Sequence, residues 1–260
     1  MTQIIQKCDD LQTRKNCRYY DVNVILKKDG TYDFVVGKEV GAGGFGTTYN
    51  AIDKTNPSKK YVLKVIDTSN MSQSFRKRFL TEFKNEIDIQ NLASISGYAG
   101  EIALAYNMDN EYGFIMKKYK TTLNTFLKNI YEPFELKKNV LKQVKNAIIA
   151  ISELGIVHGD LHLENIMLDF NNKVKIIDFG ESIIEKPQKA LKRNMEDFDI
   201  SLEMNLIIEP EEELSERTEK YRRKIVDYWE SISGNIQQLK FKSPKSKRSR
   251  KNSGKKSIRK

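Results

Sequence analysis

The chain has 260 residues, 39% hydrophobic and 10% aromatic, which is ample for one large domain or two modest lobes around a sizeable core. Its formal charge is +10, yet residues 240–260 hold eleven Lys or Arg and no acid, so the body is close to neutral and the basic character belongs to a tail. Two cysteines without metal-ligand spacing (Cys8 and Cys17), no apolar signal core in Met1 to Asp10 and no apolar run approaching ~18 residues argue against a disulfide scaffold, secretion or a membrane span.

Residues 20–40 read as a hairpin: Val22, Val24 and Leu26 alternate with polar neighbours, Lys28-Asp29-Gly30 turns, and Tyr32, Phe34 and Val36 alternate again. A second hairpin leaves Gly46 through Tyr49 and Ile52, turns at Thr55-Asn56-Pro57-Ser58 and returns through Tyr61 to Ile66. From Ser72 to Leu92 the period becomes helical, with Phe75, Phe79, Phe83 and Ile87 on one face that is expected to be core. Strands at Ile102–Tyr106 and Tyr112–Met116 follow, joined by Asp109-Asn110-Glu111. Leu136, Val140, Val144, Ile148 and Ile151 then mark a long buried helix stopping at Gly155. Short strands at Ile166–Leu168 and Val174–Ile177 flank a tight turn, Asp197–Ile208 reads as one buried helix, and Glu216–Ser233 as a surface helix of alternating charge after the acidic Glu209–Glu213. The outline is a five-stranded N-terminal lobe with one helix, a mainly helical C-terminal lobe, and a cleft between them. From Lys240 the composition predicts disorder.

Four segments carry chemistry. Gly41, Ala42, Gly43, Gly44, Phe45 and Gly46 lie in a strand-turn-strand, where missing side chains let backbone N–H groups approach phosphate oxygens and Phe45 can close over them. This setting argues against a dinucleotide fold, although a glycine-rich hairpin alone fits a flexible turn equally well. Lys64 interrupts the apolar strand Tyr61–Ile66, where a partly buried ammonium needs an anionic partner. Glu86 on the Phe83/Ile87 helix is the candidate, with Glu82 one turn earlier as the alternative. In His158-Gly159-Asp160-Leu161-His162-Leu163-Glu164-Asn165, Asp160 can face an acceptor hydroxyl while Asn165 binds a metal. Asp178, followed by Phe179 and Gly180 at a strand end, suits a hard cation such as Mg²⁺ on a nucleotide. His158 is expected to support the loop and not to move protons.

Together these residues resemble the protein-kinase signature set over roughly Val36 to Ile208. The resemblance implies an α+β, two-lobed protein-kinase-like fold with a five-stranded antiparallel N-lobe and a reduced helical C-lobe. Its expected boundaries are an extension at 1–19, a kinase-like domain at 20–233 (N-lobe 20–116, C-lobe 120–233) and a basic tail at 234–260. By the same resemblance Asp160 is the catalytic base and Asn165 and Asp178 hold Mg²⁺. ATP lies against Val40, Gly41, Ala42, Gly43, Gly44, Phe45, Gly46, Thr47, Thr48 and Lys64, with Glu86 as the lysine partner. Met116 then backs the adenine pocket and Lys117–Tyr119 form the hinge. The implied activity is transfer of the γ-phosphoryl group of Mg-ATP to Ser/Thr hydroxyls of proteins, inside the cell (cytoplasm or nucleus, or a virion if the source is viral) and away from membranes.

Departures are equally visible. Gly159 stands where most protein kinases carry Arg, which predicts activity without a phosphorylated activation loop. His162 replaces the usual lysine. No Ala-Pro-Glu follows Gly180, and Asp199, aligned with the family's buried helix aspartate, comes soon after it. These features are similar to minimal atypical kinases, haspin-like kinases and kinases of large DNA viruses. The Gly-Asp-Leu-His wording also resembles small-molecule kinases of the aminoglycoside and choline type. A nucleotide-binding pseudokinase scaffold is the third reading. The tail, with Lys245-Ser246-Lys247-Arg248-Ser249-Arg250-Lys251, fits nuclear import or nucleic-acid contact, autophosphorylation of its serines, or simple solubilisation.

Overall fold

The structure, a computed structural model, describes residues 2–8, 17–26, 34–43, 46–53, 56–108, 111–208, 215–236, 239 and 241. The turns expected at Lys28-Asp29-Gly30 and Asp109-Asn110, the loop residues Gly44 and Phe45, the acidic Glu209–Glu213 and the tail from residue 242 lie outside the described residues.

Seven strands close a barrel: β1 (Thr2–Cys8), β2 (Cys17–Leu26), β3 (Phe34–Gly43), β4 (Gly46–Asp53), β5 (Lys60–Asp67), β6 (Ile102–Met108) and β7 (Glu111–Lys117), in the order β1-β2-β6-β7-β5-β4-β3. The run β3-β4-β5-β7-β6 is the antiparallel five-stranded sheet of the expected lobe. The expected 20–40 hairpin does not form. Instead β2 pairs with β6 and with β1, in a register that sets Cys8 opposite Cys17, while β3 pairs with β4 and runs parallel to β1. Alternation identifies a strand and its faces but leaves the partner open, and here β1 enters between the two.

Inside the barrel Phe34, Val36, Leu63, Val65, Leu104 and Ile115 form one apolar cluster. The outer face of the sheet is covered by α1 (Gln73–Ser94), whose Phe83 and Ile87 bury against Ile66, Tyr112 and Phe114. The Ser72 hydroxyl caps this helix by accepting the Phe75 N–H at 3.3 Å, a contact worth about 1 kcal/mol. Phe75 itself is not core: it is 45% exposed in the first turn, with the Arg78 guanidinium 5.1 Å from its ring. Periodicity marks the face of a helix, not how far along that face a neighbour extends.

The C-terminal part comprises β8 (Thr121–Thr122), α2 (Leu123–Lys128), α3 (Phe134–Glu153), β9 (Ile156–Val157), β10 (Ile166–Leu168), β11 (Val174–Ile176), β12 (Ile183–Ile184), α4 (Pro187–Glu203) and α5 (Glu216–Ser233), with a π-helical turn at Met204–Ile208 after α4. Its core is built on α3, where Val140, Leu141, Val144, Ile148 and Ile151 are buried at about 1.5–3 kcal/mol each. Helix α4 begins ten residues before the expected Asp197, with Pro187 in its first turn, where the missing N–H has no partner to lose. Helix α5 has the expected bounds but is no mere surface element, because Ile225, Val226 and Trp229 are buried. Among the described residues no helix is long and apolar enough to cross a membrane.

Candidate active site

The glycine loop is the β3–β4 hairpin, with Gly43 opposite Gly46. Gly46 has φ +120°, and a Cβ there would lie 2.2 Å from the Val65 carbonyl oxygen, so no other residue fits this backbone against β5. On the other strand, a Cβ at Gly41 would meet nothing within 4 Å, which leaves open space beside the loop. Thr47 and Thr48 follow on β4, and Thr48 is the register partner of Lys64.

Lys64 stands on β5 with its ammonium 3.4 Å from Glu86 Oε1 on α1 and 3.1 Å from Asp178 Oδ1, a residue 114 positions away. Burial alone would lower the Lys64 pKa, but the two carboxylates outweigh it and hold the ammonium above its usual range. Burial raises the Glu86 pKa, with the Lys64 charge opposing. The alternative partner Glu82 turns away and pairs with Arg78 at 3.2 Å. Asp178 has φ +63°, an uncommon backbone for a side-chain-bearing residue, and lies two residues past the end of β11. The next residue, Phe179, is fully buried against the His158 ring, with centroids 4.8 Å apart.

Asp160 lies on the loop between β9 and β10. Its Oδ2 accepts from Asn165 Nδ2 at 3.2 Å and faces His162 Nε2 at 3.3 Å, while its backbone carbonyl accepts from Asn165 Nδ2 at 2.9 Å. Because the Asn165 amide spends its N–H groups on Asp160, its carbonyl oxygen is the atom it offers a cation. His162 Nδ1 accepts the Glu164 N–H at 3.2 Å, so Nε2 carries the hydrogen directed at Asp160. His158 is a support. Its Nε2 contacts the Ile177 carbonyl at 3.0 Å, its Nδ1 accepts the Asp160 N–H at 3.3 Å, and burial lowers its pKa, keeping the ring neutral.

Asn165 Oδ1 and the Asp178 carboxylate are hard oxygen donors of the kind that hold Mg²⁺ through one or two side chains plus substrate phosphates. Among the described residues no group of three or more His, Cys, Asp or Glu could hold a metal by itself. One amide oxygen and one carboxylate fit a cation that arrives on a phosphate. A separate cavity of about 570 Å³, lined by Lys59, Tyr61, Lys117, Lys118 and Phe170 among others, includes none of the Lys64–Asp160 cluster.

Sequence reasoning missed the residue that holds the loop from below. Asp199 is exposed and accepts the Trp229 indole N–H at 2.6 Å. The buried position belongs to Asn194: its Oδ1 accepts the His158 N–H at 2.8 Å, and its Nδ2 donates to Ser152 Oγ and the Ile156 carbonyl at 2.9 and 2.8 Å. About two turns further on, Ser201 Oγ accepts the Leu163 N–H at 3.1 Å. On the opposite side β12 pairs with β9, and the Ser182 hydroxyl donates to the His158 carbonyl at 2.8 Å. Gly159, φ +85°, meets this strap so closely that a Cβ would lie 2.3 Å from the Glu181 carbonyl oxygen.

A family model described as protein kinase domain matches residues 34–258. Among curated relatives, the chain is 30% identical over 167 residues to an Aurora kinase of Saccharomyces cerevisiae, covering 62% of this chain and 43% of that protein. It is 27% identical over 165 residues to the serine/threonine-protein kinase PKH3 of the same yeast, covering 62% of this chain and 18% of that one. A probable serine/threonine-protein kinase of fowlpox virus, FPV226, is 28% identical over 154 residues, covering 56% and 52%. The chain thus spans about half the length of these relatives, or less.

Proposed function

The chain belongs to the protein kinase domain family, and on that premise we propose that it transfers the γ-phosphoryl group of ATP, taken up with Mg²⁺, to serine or threonine hydroxyls of proteins. The observation that carries this reading is the convergence of Lys64, Glu86 and Asp178, from three distant segments, within 3.4 Å of one ammonium. Two of these relatives carry serine/threonine-protein kinase in their names, which supports the choice of acceptor.

Backbone N–H groups of the glycine hairpin and the Lys64 ammonium hold and orient the phosphates, and Glu86 keeps Lys64 extended toward them. Asn165 and Asp178 would hold Mg²⁺ arriving with the nucleotide, and the bound ion would supply positive charge beside the phosphates. Asp160 Oδ2 is engaged by Asn165 and His162, which leaves Oδ1 to accept the proton of the attacking hydroxyl. The strap at Ser182 and the missing guanidinium at residue 159 support a loop already held in place without phosphorylation.

A second reading, a small-molecule kinase with the same apparatus, is favoured by one observation: only residues 181–186 separate Gly180 from α4, too few for the usual peptide shelf. Incubating the enzyme with labelled ATP and, separately, a natural lysate or a metabolite pool decides between them. Label on proteins supports the protein-kinase reading. Label on small molecules alone overturns it.

A further inference from the structure

The separate cavity of about 570 Å³ draws its walls from three places in the chain: the turn before β5 (Lys59), the end of β7 with the residue after it (Lys117 and Lys118), and the turn between β10 and β11 (Phe170). Tyr61 and Ala103 line it as well. Tyr61 lies three residues before Lys64 on β5, an odd spacing that sets the two side chains on opposite faces of the strand. At β5 the cavity therefore lies against the face turned away from the Lys64 ammonium.

Its charge is one-sided. Lys59, Lys60, Lys117 and Lys118 line it against a single acid, Glu101. The Lys118 ammonium donates to Asn50 Oδ1 at 2.6 Å, whereas those of Lys59, Lys60 and Lys117 meet no acceptor among the described residues. Beside these cations Phe170 is 61% exposed. Its turn is well tied: Asp169 Oδ1 accepts the Asn171 and Lys173 N–H groups at 2.8 and 2.9 Å, and the Asn172 N–H donates to the Asp169 carbonyl at 2.9 Å. The Asn172 carbonyl in turn accepts from Gln143 Nε2 of α3 at 3.1 Å. Lys59 is set in the same way, its N–H donating to the Asn56 carbonyl at 3.0 Å. An aromatic ring and a cation are thus held toward water on fixed turns, so covering them costs little ordering of the backbone.

We propose that this cavity is a docking site for an acidic segment of a protein substrate. An apolar side chain of that segment packs on Phe170, Tyr61 and Ala103, while its carboxylates meet Lys59, Lys60 and Lys117. The volume falls within the ~300–1,000 Å³ usual for ligand pockets, room for one or two side chains. A peptide is favoured over nucleic acid because the cations gather round one hollow and do not line a groove along which a phosphate backbone could run. That the segment belongs to a substrate rests on the kinase reading above. Docking at a distance supplies binding that the catalytic side lacks, where only residues 181–186 separate Gly180 from α4.

The test uses the full chain and a fluorescent nonapeptide of glutamates around one leucine and one phenylalanine, with a lysine-for-glutamate counterpart and single-stranded oligo-dT as controls. Lys59, Glu101 and Phe170 are exposed, so the fold is expected to survive their replacement. The expected result is salt-sensitive binding of the acidic peptide, weakened about tenfold in Lys59→Glu/Phe170→Ala and tightened about threefold in Glu101→Lys. Joining the acidic segment by a flexible linker to a short serine peptide is expected to lower KM about tenfold at unchanged kcat. The double variant is expected to lose that gain while labelling the unjoined serine peptide as before. Binding that neither variant alters, which assigns it to the basic tail, would overturn the inference and leave the kinase reading standing. So would equal binding of the lysine peptide, or tighter binding of oligo-dT that the double variant weakens. Acidic-peptide binding that follows both variants, without label on any peptide or lysate protein, would remove the kinase reading and leave the docking site.

Discussion

Asn194 Oδ1 accepts the His158 backbone N–H at 2.8 Å from a fully buried position on α4, tying the Asp160 loop to the helical core. The same amide closes on Ser152 and Ile156, so one side chain joins three segments. Replacing it by Leu strands a buried N–H and a buried carbonyl, each worth about 1–3 kcal/mol. Asn194→Leu is expected to lower the unfolding temperature and kcat together. Asn194→Asp keeps the acceptor for His158 but sets a carboxylate against the Ile156 carbonyl, and is expected to be destabilised as well. Thermal melts with steady-state kinetics check both.

Gly159 explains why this chain departs from the arginine usual in its family. With φ +85° and the Glu181 carbonyl 2.3 Å from any Cβ, restoring a side chain pushes β12 off β9. The backbone alone costs on the order of 1–3 kcal/mol. Gly159→Arg is expected to lose activity without gaining dependence on phosphorylation, whereas the wild type, freed of phosphate by a phosphatase, is expected to keep its initial rate. A dephosphorylated enzyme that starts only after a lag contradicts this.

Glu86 and Lys64 offer a variant that preserves shape. Glu86→Gln removes the charge facing the ammonium and leaves Asp178 as its carboxylate partner. A charge-assisted contact of about 1.5–3 kcal/mol corresponds to a loss of roughly tenfold to a hundredfold in kcat/KM. Glu82→Gln, at an exposed carboxylate paired with the exposed Arg78, is expected to leave the rate unchanged.

Much of this site was legible because its residues are polar interruptions of apolar strands or loops: Lys64 within Tyr61–Ile66, and Asp178 at the end of Val174–Ile177. The single α1 face likewise pointed to Glu86 through Phe83 and Ile87. What stayed hidden depends on partners distant in sequence. The pairing of β2 with β6 rather than β3 is a tertiary choice, and the strap of Ser182 on His158 appears only when β12 reaches β9. Asn194 was passed over because an asparagine within a helix is unremarkable until its buried partner is known. Pro187 was a signal for the true start of α4 that went unused.

Lys137 sets a pH dependence. Fully buried, it donates to the Leu127 and Asn129 carbonyls at 2.7 Å and sits 4.6 Å from the Tyr221 ring centroid, and burial lowers its pKa to about 8. Since the unfolded chain keeps its proton up to about 10.5, the cost of holding this charge in the folded state is present below pH 8 and fades between pH 8 and 10.5. Relative to Lys137→Met, the wild type is expected to gain stability over that window, by about 3 kcal/mol at most at ~1.4 kcal/mol per pH unit. Denaturant melts of both proteins across the window measure it. A constant difference contradicts the assignment.

Asp160 is proposed here as the group that takes the acceptor's proton. The direct test is phosphoryl transfer by Asp160→Ala beside the wild type, with ATP binding measured on the same samples. Transfer is expected to drop by about 10²-fold or more with binding nearly unchanged. Turnover equal to the wild type would contradict the mechanism.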